Sequence, residues 1–494
     1  MIYDLIESLI NYAVLNGLIF EDDVIYTKNR LICFLHLDEL KEGKLLDLSF
    51  EEILDGFIKF GIENNLCEDS LVSRDIFDTE LMSIFTDRPS NVIDNFYSLY
   101  DISKEEATAY FYDFSIKTNY IRKYRVDKDL KWKSNTPYGD LDITINLSKP
   151  EKDPKDIERQ KNMPKTNYPV CLLCKENVGY KGRLNHPARA NIRLIPLTLC
   201  GNDFFMQYSP YSYYNEHCIV LSAEHHPMAI DKGAFNKLLD FIDFLPHYFV
   251  GSNADLPIVG GSILAHEHFQ GGRYEFAMDK APSIYDFKIK GYDNISCELL
   301  KWPLSVIRLK SDNKEEIVEL ADHILNSWIN YSDEEVGIYA YTDGVRHNTI
   351  TPIARSGKST KYELDLVLRN NITTEEHPLG VFHPHKEYHH LKKENIGLIE
   401  VMGLAVLPSR LKEEIALLSE YLVSGKDVND NEKISKHAEW VNELKQKYTF
   451  TKENVEEILK SEIGNTFGEI LECCGVFKQT NQGIEHFKKF IKTL

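Results

Sequence analysis

The sequence predicts an α+β protein: helices open and close the chain, and strand-rich segments between them carry the chemistry. Three observations point there. Apolar residues recur at helical steps through residues 1–135, strand alternation begins near Tyr138, and a His-x-His pair occurs twice, at His266/His268 and at His383/His385.

Residues 1–135 read as a helical N-terminal extension. Ile2, Leu5, Ile6, Leu9, Ile10, Ala13 and Val14 fall at three- and four-residue steps, and Asn16-Gly17 supplies a C-terminal stop. Phe50, Ile53, Leu54, Phe57 and Ile58 repeat the stripe, as does the stretch from Val92 to Tyr100. These are packing surfaces and suggest no chemistry. Residues 136–295 form a first mixed unit. It opens on Asp140-Leu-Asp-Ile-Thr-Ile-Asn-Leu, which alternates as a strand does, and continues through the charged, proline-broken loop Lys149–Lys155. Strands then follow to about residue 290, with one helix between Asp231 and Val250. Residues 296–410 repeat the mixture: a helix near Glu315–Tyr331, then strands near Gly337–Tyr341 and Tyr362–Arg369. Residues 411–494 return to helical, charged sequence and read as a covering element.

Composition narrows the function. A chain of 494 residues is too long for one typical core. Lys+Arg 57 against Asp+Glu 77 leaves a net charge of −20, so nucleic acid is a poor partner, and any phosphorylated ligand must be held locally by a few cations or backbone N–H groups. The nine cysteines are odd in number, with only Cys171/Cys174 and Cys473/Cys474 close together, which fits a reducing compartment better than a disulfide framework. No basic region precedes an apolar stretch at the N-terminus, and no run approaches the ~18–20 apolar residues of a membrane span. The expectation is a cytoplasmic protein with no membrane partner.

The segment from Gly260 to Gly272 is the most informative. In an extended strand the side chains of His266, His268 and Gln270 share one face, while Glu267 points away and is neutral for chemistry. Glycine pairs bracket this row, as they do where backbone approaches a ligand closely. An imidazole held this way serves as nucleophile or metal ligand. Taken alone, the row also fits a half-buried strand with incidental histidines. Upstream, Cys171-x-x-Cys174 has the spacing of a metal knuckle; alone it fits metal, redox or no function, although the βαβ setting that the redox reading needs is absent.

The wider context makes the chain resemble the galactose-1-phosphate uridylyltransferase branch of the histidine-triad superfamily, in its long, type 2 bacterial form. The motifs that carry the likeness are His266-x-His268-x-Gln270, Cys171–Cys174, Asn185–Arg193, Tyr208–His217, Leu221–Pro227, Gly344–Thr349, Phe382–His390 and Lys393–Gly403. The resemblance implies two tandem histidine-triad-like antiparallel half-barrel units, the second without its own active centre because Glu387 stands where a glutamine would follow His385. It implies a structural Zn²⁺ on Cys171, Cys174, His225 and His266, with His226 the alternative to His225. A second metal is either lost, moved or retained; Glu363, Asp365, Val367 and Arg369 occupy its expected strand, and His383, His385, His389 and His390 are alternatives.

By the same resemblance, His268 attacks the α-phosphorus of UDP-glucose and Gln270 binds the non-bridging oxygens. Glutamine cannot manage a proton, yet a sugar phosphate departs as a stable anion, so the substitution suits transfer better than hydrolysis. Asn191, Asn253 and Asp255 are candidate uridine or ribose contacts, with Gly261 and Ser262 beside the reacting phosphate. Arg189, Arg193 and Arg346 are candidate phosphate clamps, since a guanidinium matches phosphate geometry. His347 and Lys386 are placed on the sugar side. The expected partners are a UDP-hexose, a hexose 1-phosphate and a second copy of the chain. The rivals are a superfamily enzyme acting on adenine nucleotides and a non-catalytic, zinc-supported sugar-nucleotide binding protein.

Overall fold

A computed structural model describes residues 1–148, 166–261 and 263–494; Ser262 and the entire Lys149–Lys155 loop lie outside the described residues. The chain begins with helices Ile2–Leu15, Val24–Phe34, Phe50–Glu63 and Leu71–Ser83. Their apolar stripes meet in a core of their own, with Leu5, Leu9, Leu54, Phe57 and Leu81 at its centre. Local sequence sets the ends: Ser49 and Glu52 form a capping box, and Asn16 ends the first helix with Gly17 at φ +68°. Helices Pro89–Tyr100 and Lys104–Lys117 instead place Val92, Phe96 and Phe111 in the main core. Strand structure begins earlier than expected, at β1 (Leu130–Thr136), which pairs with β2 (Gly139–Ile145). Leu130-Lys-Trp-Lys-Ser-Asn-Thr is too polar for a buried helix, and Ser134 and Thr136 bury only one face of it.

Among the described residues ten strands form one antiparallel sheet: β3 (Ile195–Leu199), β4 (Asn202–Tyr208), β5 (Cys218–Ser222), β7 (His268–Gly272), β6 (Phe249–Gly251), β13 (Asn348–Arg355), β14 (Tyr362–Asn370), β10 (Val306–Ser311), β9 (Ser296–Leu300) and β8 (Ser283–Phe287), in that spatial order. The order reads the same way from either edge to the β6·β13 junction. Each half runs meander, helix, then two strands of which the later inserts beside the meander. Helix Lys232–Phe244 lies between β5 and β6, and helix Lys314–Ile329 follows β10. The expected tandem repetition is therefore present as two matched runs fused into one sheet, with β14 in the topological place of β7. The strand expected over Gly337–Tyr341 shrinks to the hairpin β11 (Tyr341–Thr342) and β12 (Val345–Arg346).

One face of the sheet is apolar. Met206, Val220, Phe269, Leu309, Leu364 and Leu366 pack there with Leu238, Leu239 and Trp328 of the two helices. The other face carries the polar row. It is partly roofed by a second core built from β2, β15 (Leu404–Leu407) and helices Leu411–Ser424, Ala438–Lys447 and Val455–Cys474. The last helix, Asn481–Ile491, returns Phe487 and Phe490 to the main core. No helix among the described residues is long and apolar enough to cross a membrane.

Candidate active site and metal cluster

β7 begins at His268, so His268 and Gln270 share its polar face while Phe269 enters the core. Across the sheet Gln270 stands opposite Ile219 of β5 and Gly251 of β6. His268, Gln270 and Ile219 floor a cavity of about 700 Å³ whose walls include Leu173, Arg189, Gln207, His217, Asn253, Gly261 and Lys392. Gly261 is required by closeness: a Cβ there would sit 2.8 Å from the Asn253 amide nitrogen. His268 Nδ1 lies 2.8 Å from the His266 carbonyl oxygen. A carbonyl only accepts, so Nδ1 carries the proton and Nε2 keeps a bare lone pair. Burial pulls the His268 pKa below the ordinary histidine value, against the raising effect of that backbone bond, so the ring favours its neutral, nucleophilic form.

His266 departs from the expected row. It precedes β7 in a bend, and its ring turns to the cysteines. Its Nδ1 is 3.2 Å from Cys171 Sγ and 3.8 Å from Cys174 Sγ; the two sulfurs are 3.5 Å apart, and Cys174 Sγ is 3.2 Å from His225 Nδ1. All four ligand atoms lie within 4.8 Å of one another. Tetrahedral coordination at ~2.0–2.3 Å requires ligand–ligand edges of roughly 3.4–3.8 Å, so the donor set fits a metal ion with little adjustment. The protonation also fits. His266 Nε2 donates to the Ser222 carbonyl at 2.9 Å, which leaves Nδ1 unprotonated toward the thiols. Asn177 donates to the carbonyls of Cys171 and Cys174 and is itself tied to His186, so the knuckle is held from behind. His225, not His226, joins the cluster; His226 is half-buried and lies beside Ser222, the Pro227 carbonyl and the Glu267 carboxylate.

The other anticipated side chains divide. Arg189, Asn253 and Gly261 line the cavity. Arg189 lies over the Tyr120 ring, 6.0 Å from its centroid, and spends one donor on a backbone carbonyl. Arg193 does not reach the cavity: its guanidinium donates to the carbonyls of Thr86, Asp87, Ala190 and Ile192, tying two loops together. Asn191 is likewise buried on the Thr118 carbonyl. Asp255 is occupied by Arg346, Thr349 and the Ile230 amide, and His347 by Asn371. Lys386 is exposed on a short turn away from the cavity. Of the alternatives for a second metal, Asp365 is taken by Arg308 and Arg355, and Glu363 by Arg355. His383, His385 and His389 bond backbone carbonyls, and His390 bonds His437. A cleft of about 620 Å³ over this half contains Arg308, Lys310 and Arg355, each already paired with a carboxylate. Among the described residues the other group with metal-compatible spacing is Asp333, Glu335 and His486, where Lys489 and Tyr331 also engage Asp333.

Two family models match the chain: the N-terminal domain of galactose-1-phosphate uridyl transferase over residues 18–227, and its C-terminal domain over residues 242–441. The chain belongs to the galactose-1-phosphate uridylyltransferase family. A relative of that name from Clostridium acetobutylicum is 54% identical, over 100% of both chains. Another, from Fusobacterium nucleatum, is 53% identical over 99% of this chain and 98% of its own. Among solved structures, yeast Ap4A phosphorylase Apa2 aligns at 12% identity and a TM-score of 0.34, over 60% of this chain and 87% of that one, which is too distant to bear on chemistry.

Family motifs had pointed at segments without assigning each side chain. Tyr213 and His217, from the Tyr208–His217 motif, stand in the cavity wall beside Gln270, and Asn395, from the Lys393–Gly403 motif, faces it with Lys392. The signal for them was membership of those motifs.

Proposed function

We propose that this protein exchanges a uridylyl group between UDP-glucose and galactose 1-phosphate, giving glucose 1-phosphate and UDP-galactose through a covalent intermediate on His268. The observation that carries this reading is the bare Nε2 of a buried, neutral His268 on the floor of the cavity, in a chain of this family. The Nε2 lone pair attacks the α-phosphorus, and the bond from that phosphorus to the bridging oxygen breaks, releasing glucose 1-phosphate with the electron pair. A phosphate oxygen of galactose 1-phosphate then attacks the same phosphorus, the P–N bond breaks, and its electrons return to Nε2. The proton stays on Nδ1, donated to the His266 carbonyl throughout, so no proton need be relayed. Gln270 donates to the non-bridging oxygens, Arg189 faces the phosphates, and Asn253 beside Gly261 contacts the nucleoside. Arg193, Asn191, Asp255 and Arg346 hold the surrounding walls.

The cluster of Cys171, Cys174, His225 and His266 suits Zn²⁺, because two thiolates and two imidazoles match its preference. Four protein ligands leave no open position, so the ion would fix the strand entering β7. We divide the chain at 1–135, 136–295, 296–410 and 411–494 and place it in a reducing, cytoplasmic setting, which its nine free cysteines support.

Initial rates over a matrix of both substrates test the exchange. Parallel double-reciprocal lines are expected. Turnover of a diadenosine polyphosphate with none of UDP-glucose would replace this reading with the adenine-nucleotide one.

A further inference from the structure

The loop before β5 holds one imidazole against Gln270. His217 Nε2 lies 3.3 Å from Gln270 Oε1. Its ring sits against Tyr213 and Tyr214, with centroids 5.6 and 4.6 Å away. The loop closes on itself, because the Ser209 amide donates to the His217 carbonyl at 2.7 Å and the His217 amide to the Tyr214 carbonyl at 3.3 Å. It is also seated on the end of β7. Tyr214 Oη donates to the Gly271 carbonyl, and a Cβ at Gly272 would meet the Glu216 carbonyl oxygen at 2.7 Å. Glu216 in turn is held by Tyr248 and Arg273. The imidazole is thus packed and hydrogen-bonded into one place beside Gln270.

Resting on the reading of His268 and Gln270 above, we propose that His217 is a positioning residue whose Nε2–H holds the Gln270 carbonyl oxygen, so that the amide N–H group faces the phosphoryl group on His268. A primary amide presents a donor on one side and an acceptor on the other. Only the donor side stabilises an anionic phosphoryl oxygen; the acceptor side repels it. Burial lowers the His217 pKa to about 4, so at neutral pH the ring is uncharged and carries a single N–H. With that proton on Nε2, Gln270 Oε1 is drawn to the ring and its NH₂ turns to the cavity. With it on Nδ1, a buried nitrogen that has no partner, the amide would reverse and an N–H would be orphaned. The first arrangement satisfies both the donor and the chemistry.

Two measurements test this. In the full-length protein with ring-¹⁵N histidine, assigned by comparison with His217→Phe or, should that variant not fold, with His217→Gln, the His217 shifts are expected to report the Nε2–H tautomer; the Nδ1–H tautomer overturns the proposal. Kinetically, His217→Phe keeps the ring between the tyrosines and removes the donor. It should lower kcat of both half-reactions on the order of 10²-fold, with KM for UDP-glucose nearly unchanged, and His217→Gln, which offers an amide N–H, should restore part of that loss. The double variant His217→Phe/Gln270→Ala should be no slower than Gln270→Ala alone. Wild-type speed in Gln270→Ala would remove the amide from the mechanism and so refute the parent reading. A slow Gln270→Ala beside a fast His217→Phe, or losses that multiply in the double variant, would refute the positioning role alone.

Discussion

Glu267 stands between the metal-cluster residue His266 and His268 in sequence, yet its carboxylate points to the opposite side of the chain. It accepts from Lys237 Nζ at 2.7 and 2.9 Å, with Glu267 5% exposed and Lys237 16% exposed. At that separation the gross attraction is about 6 kcal/mol for an effective dielectric near 20. Desolvation of both charges offsets most of it, so the pair as a unit is close to neutral for stability, whereas breaking it leaves one charge buried and uncompensated. Such breaks cost about 3–5 kcal/mol. Lys237→Met leaves the more buried partner with only the His226 ring, 3.6 Å away, and should cost about 3 kcal/mol. Glu267→Gln should cost less, because the Lys237 side chain can swing toward water. The double variant Lys237→Met/Glu267→Leu should recover much of the loss, since no isolated charge remains. Denaturant titration of the metal-loaded protein reads all three, and the rate of exchange at low temperature should stay near wild type because Glu267 faces away from the cavity. A Lys237→Met change within about 0.5 kcal/mol of wild type, or a double variant that simply sums the singles, would refute the reasoning.

Three further outcomes follow from the structure. Cys174→Ser should lower bound zinc and the denaturation midpoint together, as metal binding contributes folding free energy; unchanged metal content in both Cys174→Ser and His225→Ala would remove the cluster from the account. Arg189→Ala should weaken UDP-glucose binding with stability little altered, whereas Arg193→Ala should destabilise the fold by releasing four carbonyls; the reverse pattern in paired binding and denaturation measurements would contradict the assignment. The buried chain Glu414–His437–His390 should make stability fall on acidification. Burial, then the charges of His437 and Arg410, push the His390 pKa down to about 3, and burial lowers that of His437 against the opposing Glu414 bond. Burial raises the Glu414 pKa, but bonds from His437 and Lys436 and the charge of Arg410 outweigh it and leave it at about 2. All three groups bind protons more weakly folded than unfolded. Their contribution is complete above about pH 6.5 and is lost as pH falls, for His390 down to about 3 and for Glu414 down to about 2, at up to ~1.4 kcal/mol per pH unit per group. His390→Phe should flatten that slope in a pH series of denaturation curves, and an unchanged slope would contradict it.

What the sequence made legible follows the range of the physics involved. Helical stripes such as Ile2–Val14 and the alternation around His268 are set by neighbours a few residues away, so they could be read directly. The β6·β13 junction joins residues about a hundred positions apart, and nothing local announces that two units share one sheet. His266 left the expected row because its ring is drawn to Cys171, an interaction the strand periodicity cannot register. The arginines show the same limit. Arg189 and Arg193 look alike in sequence, and only the surrounding carbonyls determine that one faces the cavity while the other clamps two loops.

The central claim is that His268 carries the uridylyl group, and mass spectrometry of the protein after incubation with UDP-glucose alone tests it most directly. The account predicts at most one glucose 1-phosphate released per active site and a UMP adduct mapping to His268, acid-labile because protonating the imidazole improves it as a leaving group. Galactose 1-phosphate should then discharge the adduct as UDP-galactose. An adduct on His266, or exchange that proceeds only when both substrates are bound together and leaves no adduct, would contradict the account.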